Sequence, residues 1–118
     1  MIKLSSLSSD GEFKKLLRLK KISNNNFTVY FGKIYLNEKN EEFKISFVVK
    51  KKIGNSVKRN KIKRKLRSAV QKNLNKTILE NKKYGFLIIA SAQAYKEKFS
   101  ILNTQVNKAF EKIQKIIN

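Results

Sequence analysis

The chain has 118 residues, and its 28 Lys and Arg against 8 Asp and Glu give a formal net charge of +20. Its 41% hydrophobic content supports a small core and excludes a disordered basic tail, and the length suits one domain over residues 1–118. It has no His and no Cys, which excludes a disulfide framework, a thiolate zinc site, a thiol nucleophile and a Ser-His-Asp triad. Because so large a charge repels itself in the folded state, we expect a polyanionic partner.

The acidic residues do not indicate a metal-dependent nuclease. Only Glu41 with Glu42, and Asp10 with Glu12, lie close together in the sequence. An all-carboxylate Mg²⁺ site is possible in principle, but we predict no metal site and no catalytic residue in this chain. The longest apolar run, residues 86–90, is far shorter than the roughly 20 residues that span a membrane. The first residues also lack the apolar core of a signal peptide, so we expect a cytoplasmic protein with no membrane or small-molecule partner.

The first predicted element is a short helix that begins after Ser9. Ser9 can cap this helix, and Glu12 three residues later completes a capping box. Three apolar residues then share one face: Phe13, Leu16 and Leu17. The helix fades near residues 20–21.

Strands follow the helix. A very short strand could begin at Ile22, ahead of an Asn-rich turn at 24–26. Residues 27–36 and 43–52 then predict two strands joined by a polar turn. On the first of them, alternate side chains point to opposite faces, with Tyr30 opposite Phe27, Val29 and Phe31.

The second half predicts a helix, a strand and a helix. The first helix runs from 56 to about 74 and has Asn55 or Ser56 as its N-cap. Residues 84–91 are apolar enough for a strand that is covered on both faces, and residues 96–117 carry apolar side chains at helical spacing. The predicted order is α-β-β-β-α-β-α, an α+β sandwich with helices packed on one mixed sheet.

The positive charge is concentrated between residues 44 and 76, where thirteen basic residues occur without an acid. At about 100° per residue, the helix here has an apolar stripe of Ile62, Leu66, Ala69 and Val70. One flank of the stripe carries Arg59, Asn60, Lys63, Arg64 and Arg67, and the opposite flank carries Lys61, Lys65 and Lys72. Arginine offers a rigid fork for two phosphate oxygens, so this pattern favours binding of a nucleic-acid backbone.

Alternative interpretations of the basic helix are a solvated charged face and a helix on an anionic membrane. A solvated face normally alternates both signs of charge, whereas this one has no acid. A membrane helix needs large exposed apolar residues, whereas the apolar stripe fits a core. The pattern does not decide between DNA and RNA. Phe13 and Tyr30 could stack on unpaired bases or could be core aromatics.

Residues 51–67 read KKIGNSVKRNKIKRKLR. This stretch closely resembles the bacterial ribonuclease P protein family, which has a strand ending in Lys-Lys, a Gly-Asn-Ala/Ser-Val turn and an Arg-Asn-Arg-x-Lys-Arg-x-x-Arg helix. Weaker similarity extends to residues 7–13, 27–30 and 84–90. The resemblance implies a single RNA-binding domain whose α/β sandwich has the predicted element order and a left-handed crossover around the basic helix.

The resemblance also implies a function. The family removes the 5′ leader from precursor tRNA, and the catalyst is a large RNA with bound Mg²⁺. The protein packs its basic helix against that RNA and guides the leader through a cleft between the sheet and the first helix. A chain without His, Cys or a carboxylate cluster fits this division of labour, because the RNA supplies the metal site.

The resemblance assigns individual residues. Those implied to bind the catalytic RNA are Lys51, Lys52, Arg59, Asn60, Lys61, Lys63, Arg64 and Arg67, and those implied to line the leader cleft are Phe13, Leu17 and Tyr30. Lys61 stands where the motif usually has Arg, Leu17 where a second Phe is common, and the Gly that often follows the first helix is absent. Two other hypotheses are a non-catalytic module such as a ribosomal protein, and a stand-alone nuclease that would depend on Glu41 and Glu42.

Overall fold

The computed structural model describes residues 4–5, 20–33, 43–74 and 84–117. Two helices are present in this part of the chain: α1 (Ser56–Asn73) and α2 (Phe99–Ile117). The strands are β1 (Leu4–Ser5), β2 (Lys20–Ser23), β3 (Phe27–Lys33), β4 (Phe43–Val48) and β5 (Tyr84–Ala90). The predicted first helix, with Phe13 and Leu17, lies outside the described residues.

The five strands form one mixed sheet in the order β1-β4-β5-β3-β2. β4 runs parallel to both β1 and β5, whereas β3 is antiparallel to β5 and to β2. Two adjacent parallel strands need a crossover connection, and α1 supplies it between β4 and β5. The predicted α+β class with helices on a mixed sheet is confirmed. The left hand of the crossover stays a prediction.

Several element boundaries differ from the prediction. β4 ends at Val48 rather than at residue 52, because the chain then tightens into a 3-10 turn (Lys51–Ile53) in which Ile53 N donates to Lys50 O at 3.0 Å. α2 begins at Phe99 rather than at residue 96, because Ala92–Tyr95 forms a second 3-10 turn. The two-residue β1 was not predicted, since two residues are too few to show a periodicity.

The core lies between the sheet and the two helices. Phe27, Val29 and Phe31 of β3 are buried on this side, as their alternation predicts. Phe86 of β5 meets Phe110 of α2 edge to face, with ring centroids 6.2 Å apart. The other buried side chains of the helices are Ile62, Leu66, Ala69 and Val70 of α1 and Leu102, Val106, Ala109 and Ile113 of α2.

β5 is covered on both faces, as its composition predicts. Phe86 and Ile88 belong to the core beneath the helices, whereas Leu87, on the opposite face, is only 1% exposed. β5 is the central strand of the sheet, between β4 and β3.

The turn between β2 and β3 is fixed to α2. Asn24 Oδ1 accepts hydrogen bonds from the backbone N–H groups of Asn26 and Phe27, which closes the turn. The buried Asn26 side chain donates to Gln105 Oε1 at 2.8 Å and to Glu97 Oε2 at 3.2 Å. These contacts hold one end of the sheet against the start of α2.

Candidate nucleic-acid interface

The orientation of α1 is set by its cap and its apolar stripe. Of the two predicted N-caps, Asn55 is the one used, since its side-chain oxygen accepts from Lys58 N at 2.9 Å. All four residues of the predicted stripe are fully buried: Ile62, Leu66, Ala69 and Val70. The helix therefore lies on the sheet in the predicted phase, with one basic flank on either side of the stripe.

We define the arginine flank as Arg59, Asn60, Lys63, Arg64 and Arg67. Within it, Asn60, Arg64 and Arg67 are exposed, and Arg59 and Lys63 are half-buried. Arg59 Nη2 donates to Ser56 Oγ at 3.3 Å, and the guanidinium carbon of Arg67 lies 5.6 Å from the centroid of the Phe47 ring. Of the acidic residues, only Glu97 and Glu111 fall within the described ranges, and neither belongs to α1. The arginine flank therefore presents positive charge to solvent.

We define the lysine flank as Lys58, Lys61, Lys65 and Lys72. Its side chains point to the connection between β5 and α2 and to the first residue of α2. The ammonium groups of Lys58 and Lys61 lie 4.7 and 5.1 Å from the centroid of the Tyr95 ring. The ammonium of Lys72 lies 4.9 Å from the centroid of the Phe99 ring. These are cation–π distances, so this flank binds the helix to its own protein.

Lys65 makes the most specific contact of the lysine flank. Its ammonium donates to three backbone carbonyls: Ala94 at 3.1 Å, Tyr95 at 3.2 Å and Glu97 at 2.6 Å. Burial lowers the pKa of Lys65, the positive charge of Lys61 lowers it further, and the Glu97 carboxylate opposes both effects. Sequence reasoning placed Lys65 on the correct flank but missed this role, because the acceptors are 29 to 32 residues away.

Gly54 lies where the Lys58 side chain crosses the backbone. A Cβ at this position would be 2.6 Å from Lys58 Cδ and 3.3 Å from its Cβ and Cγ. Glycine thus lets Lys58 pass over the chain toward Tyr95. Lys51 and Lys52, expected at the end of a strand, lie instead in the 3-10 turn before Gly54, and both are exposed.

The opposite face of the sheet carries the one cleft residue that the structure describes. Tyr30 is half-buried, and it pairs in register with Leu87 of β5 and with Lys21 of β2. Ser46 of β4 pairs with Leu87 on its other side. Phe13 and Leu17 lie outside the described residues. Tyr30 and the arginine flank therefore belong to different surfaces, since α1 covers the other face of the sheet.

Within the described ranges, no group of three or more His, Cys, Asp and Glu side chains could hold a metal ion. None of the helices in these ranges is both long and apolar enough to cross a membrane.

Comparison with known proteins places the chain in a family. The family model described as Ribonuclease P matches residues 1–114. The ribonuclease P protein component of Macrococcus caseolyticus is 33% identical over 117 residues, which cover 98% of this chain and 92% of that protein. The corresponding protein of Streptococcus agalactiae is 36% identical over 91 residues, 76% of each chain.

Two solved structures share the fold. The RNase P protein of Staphylococcus aureus superposes with a TM-score of 0.63 at 24% identity, covering 98% of this chain and 97% of that one. The RNase P protein of Thermotoga maritima also has a TM-score of 0.63, at 21% identity, covering 97% and 98%. Because the family model spans nearly the whole chain, this protein belongs to the bacterial ribonuclease P protein family.

Proposed function

We propose that this chain is the protein subunit of ribonuclease P in the bacterial cytoplasm. It binds the catalytic RNA of that enzyme through the arginine flank and contacts the 5′ leader of precursor tRNA on the opposite face of the sheet. The observation that carries the proposal is the arginine flank itself, a row of outward-facing basic side chains on a helix that the buried stripe holds in place.

The chemistry of this flank suits a folded RNA. Guanidinium groups donate two parallel hydrogen bonds to phosphate oxygens, and each neutralised phosphate releases condensed counterions. Lys51 and Lys52 add two exposed positive charges in the 3-10 turn just before α1. Lys61 is also exposed, so it can contact RNA while its ammonium stays near Tyr95.

Tyr30 is the residue that supports leader binding on the other face. A half-buried tyrosine on a strand offers one side of its ring to an unpaired base, and stacking of this kind tolerates any base. Exposed Lys21, paired with Tyr30 across β2 and β3, supplies charge for the leader backbone. In this proposal Phe13 and Leu17 complete the cleft from the first helix.

We assign the Mg²⁺ ions of the reaction to the RNA subunit. The described residues do not form a metal site, and the whole sequence contains neither His nor Cys. The protein would hold the RNA and the leader, and the RNA phosphates would hold the metal.

Cleavage of precursor tRNA at low Mg²⁺ tests the proposal. We expect the protein alone to cleave nothing, and we expect the ribonuclease P RNA of the source organism to need less Mg²⁺ when the protein is present. If that RNA cleaves identically with and without the protein at low Mg²⁺, the proposal is wrong. If ribosomal subunits rather than one abundant non-ribosomal RNA co-purify with the chain, a ribosomal role replaces it.

A separate measurement tests the leader contact. Tyr30→Ala should weaken binding of leader-bearing precursor tRNA to the holoenzyme and leave binding of mature tRNA nearly unchanged. Equal effects on both substrates would make Tyr30 a structural residue only.

A further inference from the structure

We propose that Phe47 is a positioning residue for Arg67. Its ring holds the guanidinium over the edge of the sheet in an orientation from which Arg67 grips an RNA phosphate. This inference rests on the proposed function, since it concerns how the arginine flank binds RNA.

The two side chains come from different elements. Phe47 lies on β4, shares the helix-covered face with Ile45 and Val49, and is packed against the core while staying half-buried. Arg67 lies on α1 and is exposed, with its guanidinium carbon 5.6 Å from the centroid of the Phe47 ring. An exposed arginine is thus attached to a ring that the core keeps in place.

Phe47 lies beyond the short ladder between β1 and β4 and next to the buried central strand. β1 pairs with only Phe43 and Lys44 of β4, so among the described residues no strand lies beside Phe47 on that side. On the other side Phe47 pairs with Ile88 of the buried central strand. On one side the buried central strand supports Phe47, and among the described residues it is the Arg67 guanidinium that lies over its ring.

Contact with the ring does not compete with contact to RNA. A cation is attracted by the negative face of an aromatic ring, and this attraction uses none of the five N–H donors of a guanidinium. A free arginine loses rotamer freedom when it binds, whereas one held over a ring has lost part of it already. Phe47 should therefore raise the affinity of Arg67 for phosphate without touching the RNA itself.

Arg64 is a matched comparison on the same flank. It is exposed like Arg67 and lies three residues earlier on α1. Among the cation–π contacts of the described residues, those of α1 involve Lys58, Lys61, Lys72 and Arg67, and not Arg64. The proposal therefore predicts that Phe47 is coupled to Arg67 and uncoupled from Arg64.

The test is a double-mutant cycle on equilibrium binding of the full chain to a ribonuclease P RNA transcript. Phe47→Leu should weaken binding about two- to fivefold when Arg67 is present and have no further effect in an Arg67→Ala background. The effects of Phe47→Leu and Arg64→Ala on the logarithm of the binding constant should instead be additive. Phe47→Tyr, which keeps the ring, should bind like the wild type. If Phe47→Leu fails to fold, Phe47→Met replaces it in the cycle.

Additive effects of Phe47→Leu and Arg67→Ala would overturn the inference, as would equal losses from Phe47→Leu and Phe47→Tyr, which would indicate packing only. Either result leaves the proposed function standing, provided that Arg67→Ala and Arg64→Ala each weaken RNA binding. If neither arginine variant changes the affinity or its salt dependence, RNA binding by the arginine flank fails, and the inference about Phe47 fails with it.

Discussion

The arginine flank and the lysine flank lie on one helix, carry the same sign of charge and are separated by the buried stripe. The lysine flank contacts its own protein: Lys65 donates to three backbone carbonyls, and its neighbours lie over Tyr95 and Phe99. Among the described residues the arginine flank has fewer such contacts: one hydrogen bond at Arg59 and the ring beneath Arg67. Sign of charge alone therefore does not identify a ligand-binding surface. The clearest difference is at Lys65, whose N–H donors are engaged by backbone carbonyls, whereas a cation over a ring keeps its donors for a ligand.

The largest loss of stability is expected from a change in the buried stripe, which lies between the two flanks. Leu66 is fully buried, so Leu66→Ala should lower the free energy of unfolding by about 2–5 kcal/mol. Urea denaturation measures this loss. Ser68→Ala, an exposed change on the same helix, is the control and should stay within about 0.5 kcal/mol of the wild type. A similarly small change for Leu66→Ala would mean that the stripe does not anchor α1.

A smaller but clear loss is expected from the lysine flank. Lys65→Met removes three hydrogen bonds from a charged donor and should lower the free energy of unfolding by about 1–3 kcal/mol. Once corrected for folding, the dependence of RNA affinity on salt should not change. Lys63→Met on the arginine flank should have the opposite pattern of effects. It should cost little stability and should make RNA affinity depend less steeply on salt. If both variants flatten this salt dependence equally, the distinction between the flanks is wrong.

Gly54→Ala tests whether Lys58 needs the space above Gly54 to reach the Tyr95 ring. The added Cβ would meet Lys58 Cδ at 2.6 Å, so Lys58 should leave the Tyr95 ring and stability should fall by about 1 kcal/mol. Thermal unfolding would register this change. Because the clash is with one side chain, Gly54→Ala should cost less in a Lys58→Ala background. An unchanged cost in that background would place the strain in the backbone.

The smallest effect on stability is expected from the arginine flank. Arg64→Ala should change the free energy of unfolding by less than about 0.5 kcal/mol, because the side chain is exposed. The same change should weaken holoenzyme assembly and flatten the slope of log K against log salt by roughly 0.7–0.9 for one lost phosphate contact. Arg67→Ala should have the same effects on assembly and on the salt slope. Salt titrations of RNA binding measure the slope, and an unchanged slope would exclude a phosphate contact by that arginine.

Much of the fold follows from local patterns in the sequence. The alternation at Phe27, Val29 and Phe31 identified the buried face of β3, and the apolar spacing of α1 gave its stripe residue by residue. The element boundaries were less accurate. Residues 49–52 continue the predicted strand, yet three of the four are lysines, and the ladder between β4 and β5 ends at Val48 paired with Ile89. In the 3-10 turn that follows, the carbonyls of Lys50 and Lys51 accept from Ile53 N and Gly54 N instead.

In the candidate site, too, some features were predictable from the sequence and others were not. The side of α1 that carries the arginine flank was predicted correctly, because it depends only on the angle between successive residues of a helix. The partner of each charged side chain could not be predicted, because it depends on contacts between distant parts of the chain. The acceptors of Lys65 belong to the connection before α2, and the ring under Arg67 belongs to β4.

The sequence by itself determined the family, the element types and the two basic flanks of α1, since each is encoded by short-range order along the chain. The tertiary structure alone decided that Lys65 is bonded to backbone carbonyls, that its neighbours lie over aromatic rings, and that Asn60, Arg64 and Arg67 are exposed. The physical reason is that a hydrogen bond or a cation–π contact needs its two groups within a few ångströms, and only the packing of α1 between β4 and the β5–α2 connection brings those groups together.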